Sequence, residues 1–194
     1  MKIYLIRHGE TTGDIEGRFG GDYDDHLTPR GEKQAMDLAE YLKDKNLDII
    51  LHSPRFRAVE TAQLVSEAIR VSAETINSLR ERNNYGVLSG LTKEEAKTEH
   101  PTELEKIEND KIYHNVAESE SYEDTKVRAL SVLKEVSSRP ERIVAVVSHG
   151  GIIGTVLREV FGHQTSRIGD CGVVEIDYND DSYTIVSLKD VTLD

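Results

Sequence analysis

Short apolar runs alternate along this chain with stretches in which apolar positions recur at helical spacing. KIYLIR (2–7), DIILHS (48–53) and RIVAVVS (142–148) read as three short strands. Between the first two, Thr28 and Pro29 offer an N-cap and a first-turn proline, and Ala35, Leu38, Ala39 and Leu42 follow at i, i+3, i+4 and i+7. Ser53-Pro54 opens a second helix with Ala58, Val59, Ala62 and Val65 near one side. GGIIGTVLREVF (150–161) is a helix directly behind the third strand, and VVEIDY and YTIVSL, split by NDDS, form a closing hairpin or adjacent strands. Strands that alternate with helices predict an α/β fold with a mostly parallel central sheet.

No internal repeat and no Pro/Gly/Ser-rich linker interrupts the pattern, so residues 1–194 are expected to form a single domain. One stretch differs in character and is expected to form an acidic, lid-like insertion at about 99–124. From Glu99 to Asp124 there are nine acidic residues against Lys106 and Lys111, with little strand character.

Composition narrows the partners. With 24 Lys and Arg against 36 Asp and Glu, the formal net charge is −12, which argues against nucleic acid or an anionic membrane. The single cysteine, Cys171, has no disulfide partner or zinc-site neighbours and reads as a small buried apolar residue. The apolar run Ile3–Ile6 is too short for a signal peptide or a membrane span, so a cytoplasmic protein is expected, as a monomer or homodimer. No cluster of carboxylates and histidines has metal spacing, and neither a metal nor a cofactor is expected.

Candidate chemistry gathers at one edge. In open α/β sheets ligands sit at the carboxyl ends of the parallel strands. There the first strand ends in Arg7-His8-Gly9, the second in His52-Ser53 with Arg55 and Arg57 a turn later, and the third in Ser148-His149-Gly150-Gly151. Each alone has an ordinary explanation: a strand-end charge, a core histidine, a helix-start loop, a solvated arginine. Together, beside the free N–H groups of helix N-termini, they describe an anion site, best matched to a phosphoryl group.

The segments LIRHGET, RFGG, LTPRGEKQA, SPRFRAVETA, LRERNNYGVLSGLTKEE and VVSHGG, in that order from Leu5 to Gly151, resemble the histidine phosphatase superfamily, in particular its phosphoglycerate-mutase-like branch. The resemblance implies a three-layer α/β/α sandwich, a small phosphorylated substrate and a transient phosphohistidine at His8. By the same resemblance Arg7 and Arg57 hold the phosphoryl oxygens, His149 is the second active-site histidine, and Glu81 is a general acid protonated part of the time. Gly20, Gly21, Arg82, Tyr85, Lys93, Gly150 and Asp14 fall at substrate-binding positions. Asp14 stands where relatives often carry asparagine, so it should point away, pair with an arginine such as Arg18, or bind a proton with substrate.

The function expected is a phosphomonoesterase acting on a small phosphorylated metabolite. The alternative is a phosphoglycerate mutase, and a third reading is a catalytically silent phosphate-binding regulator, which would need neither His8 nor Glu81. Hydrolysis is favoured because the acidic stretch occupies the place of the mutase lid. It lacks the adjacent arginines that there hold the substrate's second anionic group, so its carboxylates should repel a doubly anionic ligand.

Overall fold

The computed structural model describes residues 1–194, with strands β1 (Lys2–Arg7), β2 (Ile49–His52), β3 (Ala73–Thr75), β4 (Ile143–Ser148), β5 (Thr165–Asn179) and β6 (Ser182–Leu193). The helices are α1 (Thr12–Glu16), α2 (Pro29–Leu42), α3 (Phe56–Ile69), α4 (Lys93–Glu99), α5 (Pro101–Asn109), α6 (Tyr122–Ser137) and α7 (Gly150–Phe161). One sheet runs in the order β3-β2-β4-β1-β5-β6. Its first four strands are parallel; β5 lies antiparallel to β1, and β6 antiparallel to β5.

Alternation along the central strands builds both faces. Ile3, Leu5, Val144 and Val146 pack with Ala129, Val132 and Leu133 of α6 and with Ile152, Ile153 and Val156 of α7. Tyr4, Ile6, Ala145 and Val147 pack with Leu38, Ala39 and Leu42 of α2 and with Ala58, Ala62 and Val65 of α3. Because both faces are covered, the strands are continuous apolar runs rather than alternating ones. The fold is thus a three-layer α/β/α sandwich.

Helix α2 begins as its sequence predicts, with the Gly31 N–H donating to Thr28 Oγ1 at 2.9 Å and Pro29 in the first turn. Helix α3 starts later than expected. Arg55 occupies its N-cap position, while Ser53 and Pro54 form the turn before it. Five elements, β3, α1, α4, α5 and α6, have no counterpart among those the sequence predicts. The three residues of β3 are exposed and carry no apolar signal, their strand form coming from pairing with β2. Helix α6 starts inside the acidic stretch, where Glu123 and Asp124 suit the positive end of a helix capped by Ser121.

The stretch from Glu99 to Asp124 is shared among the end of α4, α5, the loop after it and the start of α6. Helices α4 and α5 and the loop after them build a small separate core from Leu88, Ala96, Leu104 and Val116, with Phe19, Tyr85 and Ile107 against it. Gly86, at φ +47°, lets this roof close, since any Cβ there would collide with the Ala117 carbonyl. Beneath it, Gly9 and Gly31 bring the loop after β1 flush against α2: a Cβ at Gly9 would lie 2.7 Å from the Gly31 oxygen.

Candidate active site

The end of β1 delivers the first candidate group, His8. The His8 N–H donates to the Ser148 carbonyl at 3.1 Å, and the Gly9 N–H donates to Thr61 Oγ1 at 3.1 Å, which fixes the loop on β4 and α3. His8 Nδ1 lies 2.8 Å from the Gly9 carbonyl oxygen, an acceptor, so Nδ1 carries the proton and Nε2 keeps its lone pair. Arg57 Nε donates to His8 Nε2 and to His149 Nδ1, each at 3.2 Å. With Nδ1 accepting, His149 Nε2 donates to Ser53 Oγ at 2.7 Å. The two rings lie 5.1 Å apart, inclined by 58°. Burial, and after it the positive charge of Arg57, holds both histidines well below the usual imidazole range, so both are neutral at neutral pH.

The arginines are themselves anchored. Arg57 pairs with the buried Asp25 at 2.9 Å and donates to the Tyr23 carbonyl at 2.7 Å. Arg7 reaches the Ile168 carbonyl at 2.8 Å and Asp170 at 3.2 Å, both in an irregular part of β5 where Cys171 adopts φ +51° and its N–H donates to the His8 carbonyl. Cys171 is buried and its thiol is pushed up to about 12, chiefly by burial, as its reading as an inert apolar residue requires. Asp14 takes the arginine-pairing course, but with Arg7 at 3.7 Å rather than Arg18. Its other oxygen accepts from Thr11 N and Oγ1 at 3.0 Å each, and Arg18 instead meets Glu16, Glu95 and the Gly90 carbonyl.

Glu81 packs against the start of α7. Its carboxylate accepts from the Arg82 N–H at 2.7 Å and the Gly151 N–H at 3.1 Å, and a Cβ at Gly151 would collide with it. Behind it, Arg128 of α6 holds three carbonyls of this loop, those of Ser78 at 2.8 Å, Arg80 at 2.7 Å and Glu81 at 3.4 Å. The Arg128 guanidinium is paired in turn with Glu120 at 2.6 Å.

These groups share one cavity of about 460 Å³, lined by Arg7, His8, Asp14, Gly20, Gly21, Arg57, Glu81, Arg82, Tyr85, Gly150 and Gly151. His149 lies fully buried behind it. Lys93 is not brought there. As the first residue of α4 it faces α5 and pairs with Glu108 at 3.0 Å. Arg55 is drawn off by Asp22 and Asp24, and His52 stays within the sheet on the Ser53 carbonyl. Sequence reasoning missed Asp25, Thr155, Arg158, Arg167, Lys111 and Tyr122 among the lining residues. Arg158 was within reach, seven positions beyond Gly151 on the same helix face. Arg167 carried no such sign. The expected repulsion from the acidic stretch is corrected: of residues 99–124 only Lys111, Ile112 and Tyr122 line the cavity, and none of the carboxylates does.

Comparison with known proteins agrees with this geometry. The model of the histidine phosphatase superfamily (branch 1) matches residues 3–191. The uncharacterized phosphatase PhoE of Bacillus subtilis (strain 168) is 30% identical, over 94% of this chain and 91% of that one. The Escherichia coli protein named "Probable phosphoglycerate mutase GpmB" is 27% identical, over 93% of this chain and 86% of that one. Among solved structures, the α-ribazole phosphatase of Shigella flexneri superposes with a TM-score of 0.86 at 26% identity, covering 97% of this chain and 96% of that one. With a family match over nearly its whole length and phosphatases and mutases as relatives, this chain belongs to the histidine phosphatase superfamily and is one of its enzymes.

Proposed function

We propose that the protein is a phosphomonoesterase of small phosphorylated metabolites that works through a phosphohistidine at His8. The observation that carries this reading is the placement of His8 Nε2: the ring is neutral with its proton on Nδ1, and the Nε2 lone pair is directed at Arg57 Nε beside His149. Attack of Nε2 on phosphorus breaks the ester P–O bond. The imidazolium so formed keeps its Nδ1 proton on the Gly9 carbonyl, while Arg7 and Arg57 meet the charge on the phosphoryl oxygens. Glu81 gives its proton to the leaving alkoxide. In the second step it takes a proton from the attacking water as the P–N bond breaks, which returns His8 neutral and releases phosphate.

Hydrolysis is favoured over transfer back to an intermediate because Lys111, Ser166 and Arg167 are exposed cavity-lining residues, which gives water a path to the phosphohistidine. The phosphatase relatives support the same choice. Enzyme quenched during turnover should carry an acid-labile, alkali-stable phosphate, absent from His8→Ala; label on a serine would refute the mechanism. The mutase reading, which the likeness to GpmB supports, is separated by assaying 3-phosphoglycerate. Isomerisation that far outpaces phosphate release would make the enzyme a mutase.

A further inference from the structure

The cavity is cationic in an anionic protein. Seven arginine and lysine side chains line it, Arg7, Arg18, Arg57, Arg82, Lys111, Arg158 and Arg167, against the carboxylates Asp14, Asp25 and Glu81. Those carboxylates are all occupied, by Arg7, by Arg57 and by two backbone N–H groups respectively. Arg7 and Arg57 serve the phosphoryl end, and Arg18 is paired with Glu16 and Glu95. Four cations remain. Arg82, Lys111, Arg158 and Arg167 make no ion pair with any carboxylate, although acidic residues outnumber basic ones in the chain by 36 to 24.

Two of the four are organised around one ring. The guanidinium carbons of Arg82 and Arg158 lie 5.6 and 5.4 Å from the centroid of Tyr122, and Arg158 Nη1 donates to its hydroxyl at 3.0 Å. Arg82 is only 6% exposed, one of its terminal nitrogens has no hydrogen-bond partner, and burial pulls its pKa down. A desolvated cation without a counter-charge costs free energy that an anion in the cavity would recover. Arg158 sits seven residues beyond Gly151, about 10 Å along α7, and side chains on a helix lean toward its N-terminus, here the phosphoryl end. The lining holds little for an apolar group, since its aliphatic members are only Ile112 and Ile168 besides glycines.

From these features we infer a second anion subsite, formed by Arg82 and Arg158 over Tyr122 with Lys111 and Arg167 in the same cavity lining, that selects phosphate esters bearing a second anionic group, a carboxylate or another phosphoryl group. This deepens, and as a statement about substrate class rests on, the phosphomonoesterase reading. The test measures binding rather than turnover, so the two stand or fall separately. In a His8→Ala background, which removes the nucleophile, calorimetry compares 3-phosphoglycerate with glycerol 3-phosphate, and fructose 1,6-bisphosphate with fructose 6-phosphate. The doubly anionic member of at least one pair should bind about tenfold tighter, the scale of one charge-assisted hydrogen bond. A preference in the first pair assigns the carboxylate and in the second the phosphoryl group.

Arg158→Gln and Arg167→Gln should each erase most of that preference. Lys97→Gln, an exposed cation on α4 outside the cavity lining, removes the same charge and should keep it. Equal binding within both pairs would overturn the subsite, as would a preference that survives the arginine substitutions or falls as far in Lys97→Gln. If the preference holds while no phosphohistidine forms, the subsite stands and the phosphatase reading falls.

Discussion

Ser53 gives His149 a freedom that a fixed donor or acceptor would deny it. In the structure His149 Nδ1 accepts from Arg57 while Nε2 donates to the Ser53 hydroxyl. To stabilise a phosphoryl group, Nδ1 must instead donate, and a hydroxyl can reverse its role and donate to Nε2. Under the proposed mechanism Ser53 is a positioning residue that lets the ring exchange tautomers without taking up a proton. Ser53→Ala should lower kcat about tenfold with KM little changed, and the activity that remains should shift toward acid pH, where the imidazolium donates from both nitrogens. Steady-state kinetics from pH 5 to 8 check this; an unaltered profile would reduce Ser53 to packing. Of this residue-scale detail, the sequence showed His8, Arg57 and His149 through their place at strand ends. Asp25 stayed hidden because its role comes from a partner 32 positions away, a separation no local pattern records.

At the scale of elements, α6 has a task its composition did not announce. Arg128 ties the Glu81 loop to the end of the roof, holding three backbone carbonyls with one guanidinium while Glu120 balances its charge. Arg128→Met should leave the acid misaligned and harm alkyl phosphates, whose alkoxides need a proton, at least tenfold more than p-nitrophenyl phosphate, whose phenolate leaves unaided. Arg128→Lys and Glu120→Gln should show the same bias more weakly. Equal losses on both substrates would mean a structural role only. Strands β1, β2 and β4 and helices α2 and α7 were legible because burial on both sides of a sheet, or on one helix face, writes a period into the sequence. Helix α6 buries Tyr122, Thr125, Ala129, Val132, Leu133 and Val136, but the acid-rich stretch running into it masked that face, and β3 owes its form to a neighbour. The charge of residues 99–124 was legible as well, yet its direction was not. Glu103, Glu108 and Glu120 are turned to Lys106, Lys93 and Arg128 rather than to the ligand.

For the whole molecule, the buried histidine pair couples the site to stability. Both histidines have folded pKa values well below the unfolded value near 6.5, so above about pH 6.5 they impose no penalty. Below it the unfolded chain takes up protons that the folded one refuses, and stability should fall by roughly 1 kcal/mol per pH unit for each histidine. His26, raised by its hydrogen bond to Glu60, works in the opposite sense but is exposed and contributes little. Urea midpoints from pH 7.5 to 5 should therefore decline well before carboxylates such as Asp48 and Glu103 titrate, and saturating inorganic phosphate should flatten the decline. A level profile would show that the pair protonates in place. The separate small core of the roof has a different reach. The floor that carries His8 is welded into both layers of the sandwich through Gly9, Gly31 and the central strands, whereas the roof has a core of its own in Leu88, Ala96, Leu104 and Val116. Away from Glu120 and its hold on the Glu81 loop, mutations can accumulate in that roof, lengthen it or recharge it, without disturbing the bond-breaking apparatus. Such a partition lets one chemistry be inherited intact while the choice of ester drifts.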